Sequence, residues 1–301
     1  MTSAAAVMTA DFGGEYPWAS QFLDVGAGRL AYLDEGPKGA PVLLMLHGNP
    51  TWSFYYRHLV KAFSGEYRVV VPDHLGCGRS DKPQGFSYRL EDHIHNVERL
   101  VAHLGLEAIN LVVHDWGGAI GMGFTVAHPE KVARIVVLNT AAFPSDRIPF
   151  TINLVRIPGF GALSVRGLNA FAKVALLRCV HHKERLTEDV KAGYLAPYDS
   201  WANRVATLRF VEDIPMSASH PSHAALARIA DGLAGLKKKP MLIAWGAHDF
   251  VFNRHFYAEW VQRFPDAEAH YIEDASHYVL EDAHERITQW MRPFLTREVA
   301  Q

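Results

Sequence analysis

Short apolar runs rich in β-branched residues recur along this chain, and longer amphipathic stretches separate them. The runs fall at residues 21–25, 30–34, 42–46, 68–71, 110–113, 134–138, 241–245 and 269–272. A chain of this kind must lay its strands side by side and return over their faces with helices. The pattern predicts an α/β fold with a mainly parallel sheet covered on both sides. The first two runs are separated only by Gly26-Ala27-Gly28 and read as a hairpin at the sheet edge. Between the others lie helical patterns such as residues 93–104, where Ile94, Val97, Leu100, Val101 and Leu104 share one face. A last helix at 283–294 closes the chain.

Residues 142–214 break the alternation. They hold no strand pattern, carry prolines at 144, 149, 158 and 197, and mix Phe150, Leu154, Phe160 and Phe171 with Arg147, Arg156, Arg166, Arg178 and Arg185. The stretch reads as several short helices inserted between two strands. Such an insertion sits over the carboxyl ends of the strands, where α/β folds place their sites, so it is read as a lid. An insertion that only packs on the core edge is the plainer alternative. The expected organisation is a core at 1–141, a cap at 142–214 and the rest of the core at 215–301.

Composition narrows the function. Thirty basic and 32 acidic residues leave a formal charge of −2, with no footprint for nucleic acid and no polybasic run for an anionic membrane. Two cysteines, Cys77 and Cys179, exclude a disulfide scaffold and fit a reducing compartment. The first ten residues lack Lys, Arg and an apolar core of signal-peptide length. No apolar run approaches the ~18 residues that span a bilayer. A cytoplasmic protein without a membrane span is expected. His93-x-His95 and His181-His182 lack partners at metal-ligand spacing, so no metal site is expected.

The chemistry concentrates at Leu111-Val112-Val113-His114-Asp115-Trp116-Gly117-Gly118. A strand runs into an Asp, then two glycines, then a helical segment, which is the layout of a nucleophile elbow with Asp115 in place of the usual Ser. A Ser needs a base to become nucleophilic, whereas a carboxylate with an ordinary pKa of ~3.9 is already ionised at neutral pH. Asp115 can therefore attack a carbon bearing a leaving group and form an ester. An Asp that merely caps a helix is the plain alternative. The glycines do not make a dinucleotide fingerprint, because Gly118-x-x-Gly121-x-Gly123 has the spacings reversed. No cofactor is expected.

An ester on Asp115 needs a base to hydrolyse it, and the base needs an acid to orient it. The strand at 241–245 leads into Asp249, and the strand at 269–272 leads into His277, in the chain order this topology demands. His248 and Asp274 are their neighbours and are expected to be structural. An oxyanion hole is expected from Trp116, which follows the nucleophile, and from the loop His47-Gly48-Asn49-Pro50-Thr51. The Asn49 amide and the Trp116 indole would add N–H donors for a departing anion.

With these residues in place, the sequence resembles the haloalkane-dehalogenase-like branch of the α/β-hydrolase family over nearly its whole length. The segments His47-Gly48-Asn49-Pro50-Thr51, Pro72-Asp73-His74-Leu75-Gly76-Cys77-Gly78-Arg79-Ser80-Asp81-Lys82-Pro83 and His114-Asp115-Trp116-Gly117-Gly118 carry the likeness. The resemblance implies an α/β-hydrolase fold, with an eight-stranded, mostly parallel sheet and a helical cap after strand six. It also implies a nucleophile at Asp115, a base at His277 and a leaving-group clamp of Asn49 with Trp116. One subfamily places its acid as a Glu after the sixth strand. Asn139-Thr140 stands there in this chain, so the acid is expected at Asp249.

Further segments, among them Arg166-Gly167-Leu168-Asn169-Ala170-Phe171, Ala196-Pro197-Tyr198-Asp199-Ser200-Trp201 and His277-Tyr278-Val279-Leu280-Glu281-Asp282-Ala283, are similar to the third dehalogenase subfamily. That group largely coincides with the cis-β-lactone decarboxylases of bacterial long-chain olefin biosynthesis. The resemblance favours a small hydrophobic β-lactone as substrate, giving a cis-olefin and CO2. Whether attack falls on the ring sp3 carbon or the carbonyl stays open in the sequence. It further implies association with a β-lactone synthetase and a homo-oligomer. The alternative is a haloalkane dehalogenase, which releases an alcohol and halide. An epoxide hydrolase would use lid tyrosines, for which Tyr194 and Tyr198 are candidates, but Asn49 speaks against it. A non-catalytic binding member of the fold would be expected to lack one of Asp115, Asp249 and His277.

Overall fold

Eight strands form one sheet in the computed structural model, which describes residue 7 and residues 9–297. They are β1 (Gln21–Asp24), β2 (Arg29–Glu35), β3 (Val42–Leu46), β4 (Arg68–Pro72), β5 (Ile109–Asp115), β6 (Val132–Thr140), β7 (Met241–Gly246) and β8 (Glu268–Ile272). Their order is β1-β2-β4-β3-β5-β6-β7-β8. Pairing is antiparallel at β1–β2 and β2–β4 and parallel from β4 through β8. Each expected strand is present, and the first hairpin lies at the edge.

The central strands are apolar throughout because both faces are covered. Period-two alternation nevertheless divides them. Leu44, Leu46, Leu111, Val113, Ile135, Val137 and Ile243 pack to one side, while Leu43, Met45, Val112, Val136, Leu138 and Leu242 pack to the other. Burying such a side chain contributes about 1.5–3 kcal/mol relative to leaving it exposed.

The helices are α1 (Arg57–Phe63), α2 (Leu90–Leu104), α3 (Trp116–Ala127), α4 (Phe150–Val155), α5 (Ala170–Arg178), α6 (Glu188–Leu195), α7 (Val205–Glu212), α8 (His223–Gly232), α9 (Arg254–Arg263) and α10 (Val279–Thr296). Helices α2, α3, α8 and α9 cover the first side of the sheet, and α1 and α10 cover the second. Two starts differ from the sequence expectation. Helix α2 begins three residues before 93, where Asp92 accepts a hydrogen bond from the Arg89 backbone N–H at 2.9 Å and caps the first turn. Helix α10 begins four residues before 283 and kinks at Ala283. Its first turn, Val-Leu-Glu-Asp, hides from periodicity because Glu281 and Asp282 both face inward.

Between β6 and α8 only helical elements occur: α4, a π-helical turn at Ala162–Gly167, α5, α6, α7 and short 3-10 turns. They lie over the carboxyl ends of β3, β5 and β6, where one wall of a cavity comes from the insert and its floor from the strand ends.

Candidate active site

Strand β5 ends at Asp115, which holds φ 50° and ψ −126°, a conformation that side chains other than glycine rarely adopt. The turn closes because positions 117 and 118, just past Trp116, carry no Cβ. A Cβ on Gly117 would collide with the Leu46 carbonyl, and one on Gly118 with the Thr140 hydroxyl. That hydroxyl donates to the Asp115 backbone carbonyl and ties the turn to the end of β6. Helix α3 starts directly after Asp115, which places the carboxylate at the positive end of the helix.

The Asp115 carboxylate is buried, 7% exposed, at the floor of the cavity. Its Oδ1 accepts the Asn49 backbone N–H at 2.6 Å, and the Trp116 backbone N–H is near enough to favour the ionised carboxylate. His277 Nε2 lies 3.7 Å from Asp115 Oδ2, and His277 Nδ1 lies 2.7 Å from Asp249 Oδ2. Asp249 is held in turn by the backbone N–H groups of Val251 at 2.6 Å and Phe252 at 2.9 Å. The structure thus brings Asp115, His277 and Asp249 into one buried carboxylate–imidazole–carboxylate chain. Burial raises the Asp115 carboxyl above its ordinary range, and His277 with the two amides offsets this only in part. Burial draws the His277 imidazole down, but Asp249 and then Asp115 outweigh it, so its pKa is raised.

Asn49 and Trp116 both line the same cavity beside Asp115. Asn49 Nδ2 donates to the Thr207 carbonyl at 3.1 Å, which occupies one of its two hydrogens and fixes the amide plane from the insert. The Trp116 ring packs against Phe210 of α7, with centroids 5.3 Å apart. Above this floor the cavity, about 380 Å³, is lined mainly by apolar side chains of the insert and of the loops after β6 and β7.

Three residues of the surroundings escape sequence reasoning. Asn139 donates to Asp249 Oδ2 at 2.9 Å and accepts the Gly246 N–H at 2.8 Å, which locks the acid's carboxylate. Its place at the end of β6, level with Asp249, was the available signal. The buried His114 has its Nε2 2.9 Å from the His277 carbonyl and is held neutral by burial. Thr140, described above, is the third. The neighbours expected to be structural lie off the cavity, with His248 stacked on His181 at 4.6 Å and Asp274 paired with Arg286 at 2.8 Å. His93 is buried and stacks on Phe210 at 4.6 Å. Tyr194 donates to Glu281 and Tyr198 to the Thr51 carbonyl at 3.2 Å, and neither reaches the cavity.

The family model described as the alpha/beta hydrolase fold matches residues 41–284. The chain belongs to the α/β-hydrolase family. This hydrolase is 42% identical over 286 residues to a cis-3-alkyl-4-alkyloxetan-2-one decarboxylase of Shewanella oneidensis, covering 93% of the chain and 89% of the relative. It is 33% identical over 288 residues to haloalkane dehalogenase 2 of Mycobacterium bovis, covering 90% of the chain and 93% of that protein. Among solved structures, the haloalkane dehalogenase DbeA of Bradyrhizobium elkani superposes with a TM-score of 0.81 at 26% identity, over 92% of the hydrolase and 98% of DbeA. The hydrolase is thus an enzyme of the branch that holds these decarboxylases and dehalogenases. No helix among its described residues is long and apolar enough to cross a membrane.

Proposed function

We propose that this α/β-hydrolase decarboxylates a long-chain cis-β-lactone, a cis-3,4-dialkyl-oxetan-2-one, to a cis-olefin and CO2. The observation that carries the reading is the 42% identity to a decarboxylase of that ring, against 33% to the dehalogenase. The mainly apolar cavity over Asp115 supports it. Residues 142–214 act as the cap over a core of 1–141 and 215–301.

In this reading Asp115 attacks the sp3 ring carbon that bears the ring oxygen. The C–O bond breaks with inversion and its electrons leave on a carboxylate, which Asn49 and Trp116 receive through N–H groups. The opened chain carries that carboxylate antiperiplanar to the new Asp115 ester bond. Loss of CO2 sends the C–C pair into the C=C bond and expels Asp115 as a free carboxylate. Inversion followed by anti elimination keeps both alkyl arms on one side, so a cis ring gives a cis-olefin. No water is consumed, and His277 with Asp249 stabilises the carboxylate that departs. Supply of the ring by a β-lactone synthetase and a homo-oligomeric enzyme in the cytoplasm belong to the same proposal.

A second reading, haloalkane dehalogenation, is favoured by the N–H donors beside Asp115. There the first displacement expels halide and His277 activates water against the ester. The tyrosines needed for an epoxide hydrolase lie away from the cavity.

The test offers one preparation a long-chain cis-β-lactone and a long 1-haloalkane in parallel, with Asp115→Ala as control. Fast olefin with slow halide is expected. Fast halide without olefin would overturn the decarboxylase reading in favour of the second. Asn49→Ala and Trp116→Phe are each expected to slow bond cleavage by on the order of 10²-fold, and unchanged rates would remove their roles. His277→Ala should hold an alkyl mass on Asp115 after the haloalkane while still forming olefin from the lactone.

A further inference from the structure

The exposed apolar side chains of this protein are concentrated in one region. All eight large hydrophobic side chains left exposed among the described residues lie in the helical insert, seven between Phe150 and Leu177 and the eighth at Trp201. Phe150, Leu163, Leu168 and Leu177 are 62–74% exposed. Single exposed apolar residues are ordinary, but a cluster on neighbouring elements marks a contact surface. These elements do adjoin. Leu163 and Trp201 flank Gly167, and the Arg166 guanidinium lies 4.8 Å over the Trp201 ring.

The same stretch is the most cationic part of the chain. Between Asp146 and Glu184 stand Arg147, Arg156, Arg166, Lys173, Arg178 and Lys183, and no carboxylate. With six of the 30 cations and none of the 32 carboxylates, residues 147–183 carry +6 while the rest of the chain carries −8. Carboxylates adjoin it at its two ends and one side: Asp146 and Glu184 at its boundaries, Asp282 and Asp274 beside His181 and His182, and Glu212, which faces Arg156 and Arg166. Arg147, Lys173, Arg178 and Lys183 are exposed.

We propose that residues 147–183 dock this enzyme on an anionic lipid bilayer. Apolar side chains flanked by Arg and Lys fit that surface, since the former enter the headgroup–acyl boundary while the latter reach phosphates. The excess of negative charge elsewhere turns the remainder of the molecule away. A second copy is a poorer occupant, because a two-fold interface sets the patch against itself and brings its six cations towards six others. The arrangement also suits access. Helices α4 and α5 carry Phe150 and Leu177 outward while Ile152 and Val174 of the same helices line the cavity over Asp115. An apolar compound dissolved in the bilayer thus meets the cavity wall at the docked face. The docking stands independently of which reaction Asp115 performs.

Flotation of the full chain with vesicles of pure phosphatidylcholine and of equimolar phosphatidylcholine and phosphatidylglycerol tests the proposal. Binding to the anionic vesicles alone, released by salt, is expected. Lys173→Glu combined with Lys183→Glu should weaken binding on the order of a hundredfold. Phe150→Ser combined with Leu177→Ser should weaken it at least about tenfold. Melting curves confirm that each variant is folded, and the salt titration of the unaltered protein needs no variant. Absence of binding, equal binding to both vesicles, or binding that survives both pairs of substitutions would overturn the proposal. So would patch-dependent self-association in sedimentation velocity, which would make a second copy the occupant.

Discussion

His277 stands between two carboxylates at unequal distances, and the inequality predicts how each one acts. Asp249 is bonded to Nδ1 at 2.7 Å, while Asp115 lies 3.7 Å from Nε2. Both raise the imidazole's pKa against the downward pull of burial, Asp249 the more strongly. Asp249→Asn should therefore lower the His277 titration, followed by the NMR shift of its ring proton, by more than Asp115→Asn does. A larger shift in the Asp115 variant would refute this order. The sign for stability follows. With its folded pKa above the unfolded value, His277 adds stability that is full below the unfolded pKa and is lost as pH rises through the folded one. Asp115 acts in the same direction, because burial raises its pKa above the unfolded value and stability falls as rising pH ionises the buried carboxyl. The residues at this scale were legible in the sequence wherever a strand end met Gly-Gly or a known chain order, as for Asp115, Asp249 and His277. Asn139 and His114 were not assigned their parts, since what they do depends on which neighbour the sheet sets beside them.

At the scale of elements, a buried ion pair within the core holds the insert through one hydroxyl. Arg57 of α1 forks onto Glu281 of α10 at 2.5 and 2.8 Å, both side chains are 1% exposed, and Tyr194 of α6 donates to the same carboxylate. Arg57 also lies 4.4 Å over the Phe54 ring. Glu281→Ala would leave the buried guanidinium with only the partly exposed Glu15, 2.9 Å from its Nε, as counterion, which costs up to about 3–5 kcal/mol. A large drop in the urea midpoint is expected, with the activity lost only as far as the fold is. A midpoint unchanged from the parent would show that the pair carries no such burden. Burial pulls the Glu281 pKa up, but Arg57 outweighs it and holds it below the ordinary range. Its stabilisation is thus present above the unfolded pKa and fades as pH falls through the folded one. The strands were visible as apolar runs because parallel strands buried on both faces must be apolar. The start of α10 was hidden by this same pair, since an inward-facing Glu breaks the apolar pattern that marks a buried helix face.

For the whole molecule, the insert is one block in sequence but two in packing. Its later part is woven into both sides of the core. Ala175, Leu176, Val190 and Tyr194 join the cluster beneath α1 and α10, while Val205, Ala206 and Phe210 join the one beneath α2 and α3. Its earlier part, from Phe150 to Leu168, buries only Ile152 and Val165 among its large apolar side chains and leaves five others exposed. Proline, arginine and apolar residues are spread evenly through both parts, so composition could not separate them, and only the contacts made across the fold do. Local opening free energies follow buried contacts, ranging from near zero to the global value. Amide hydrogen exchange should therefore find the backbone of residues 150–168 exchanging at least about a hundredfold faster than α7 and the central strands. Since Ile152, Val155, Phe160 and Val165 also line the cavity over Asp115, the part that opens first is the part whose opening admits an apolar substrate. Equal protection across the insert would mean that it moves only with the core. Entry to Asp115 would then have to run along a path that leaves α4 in place.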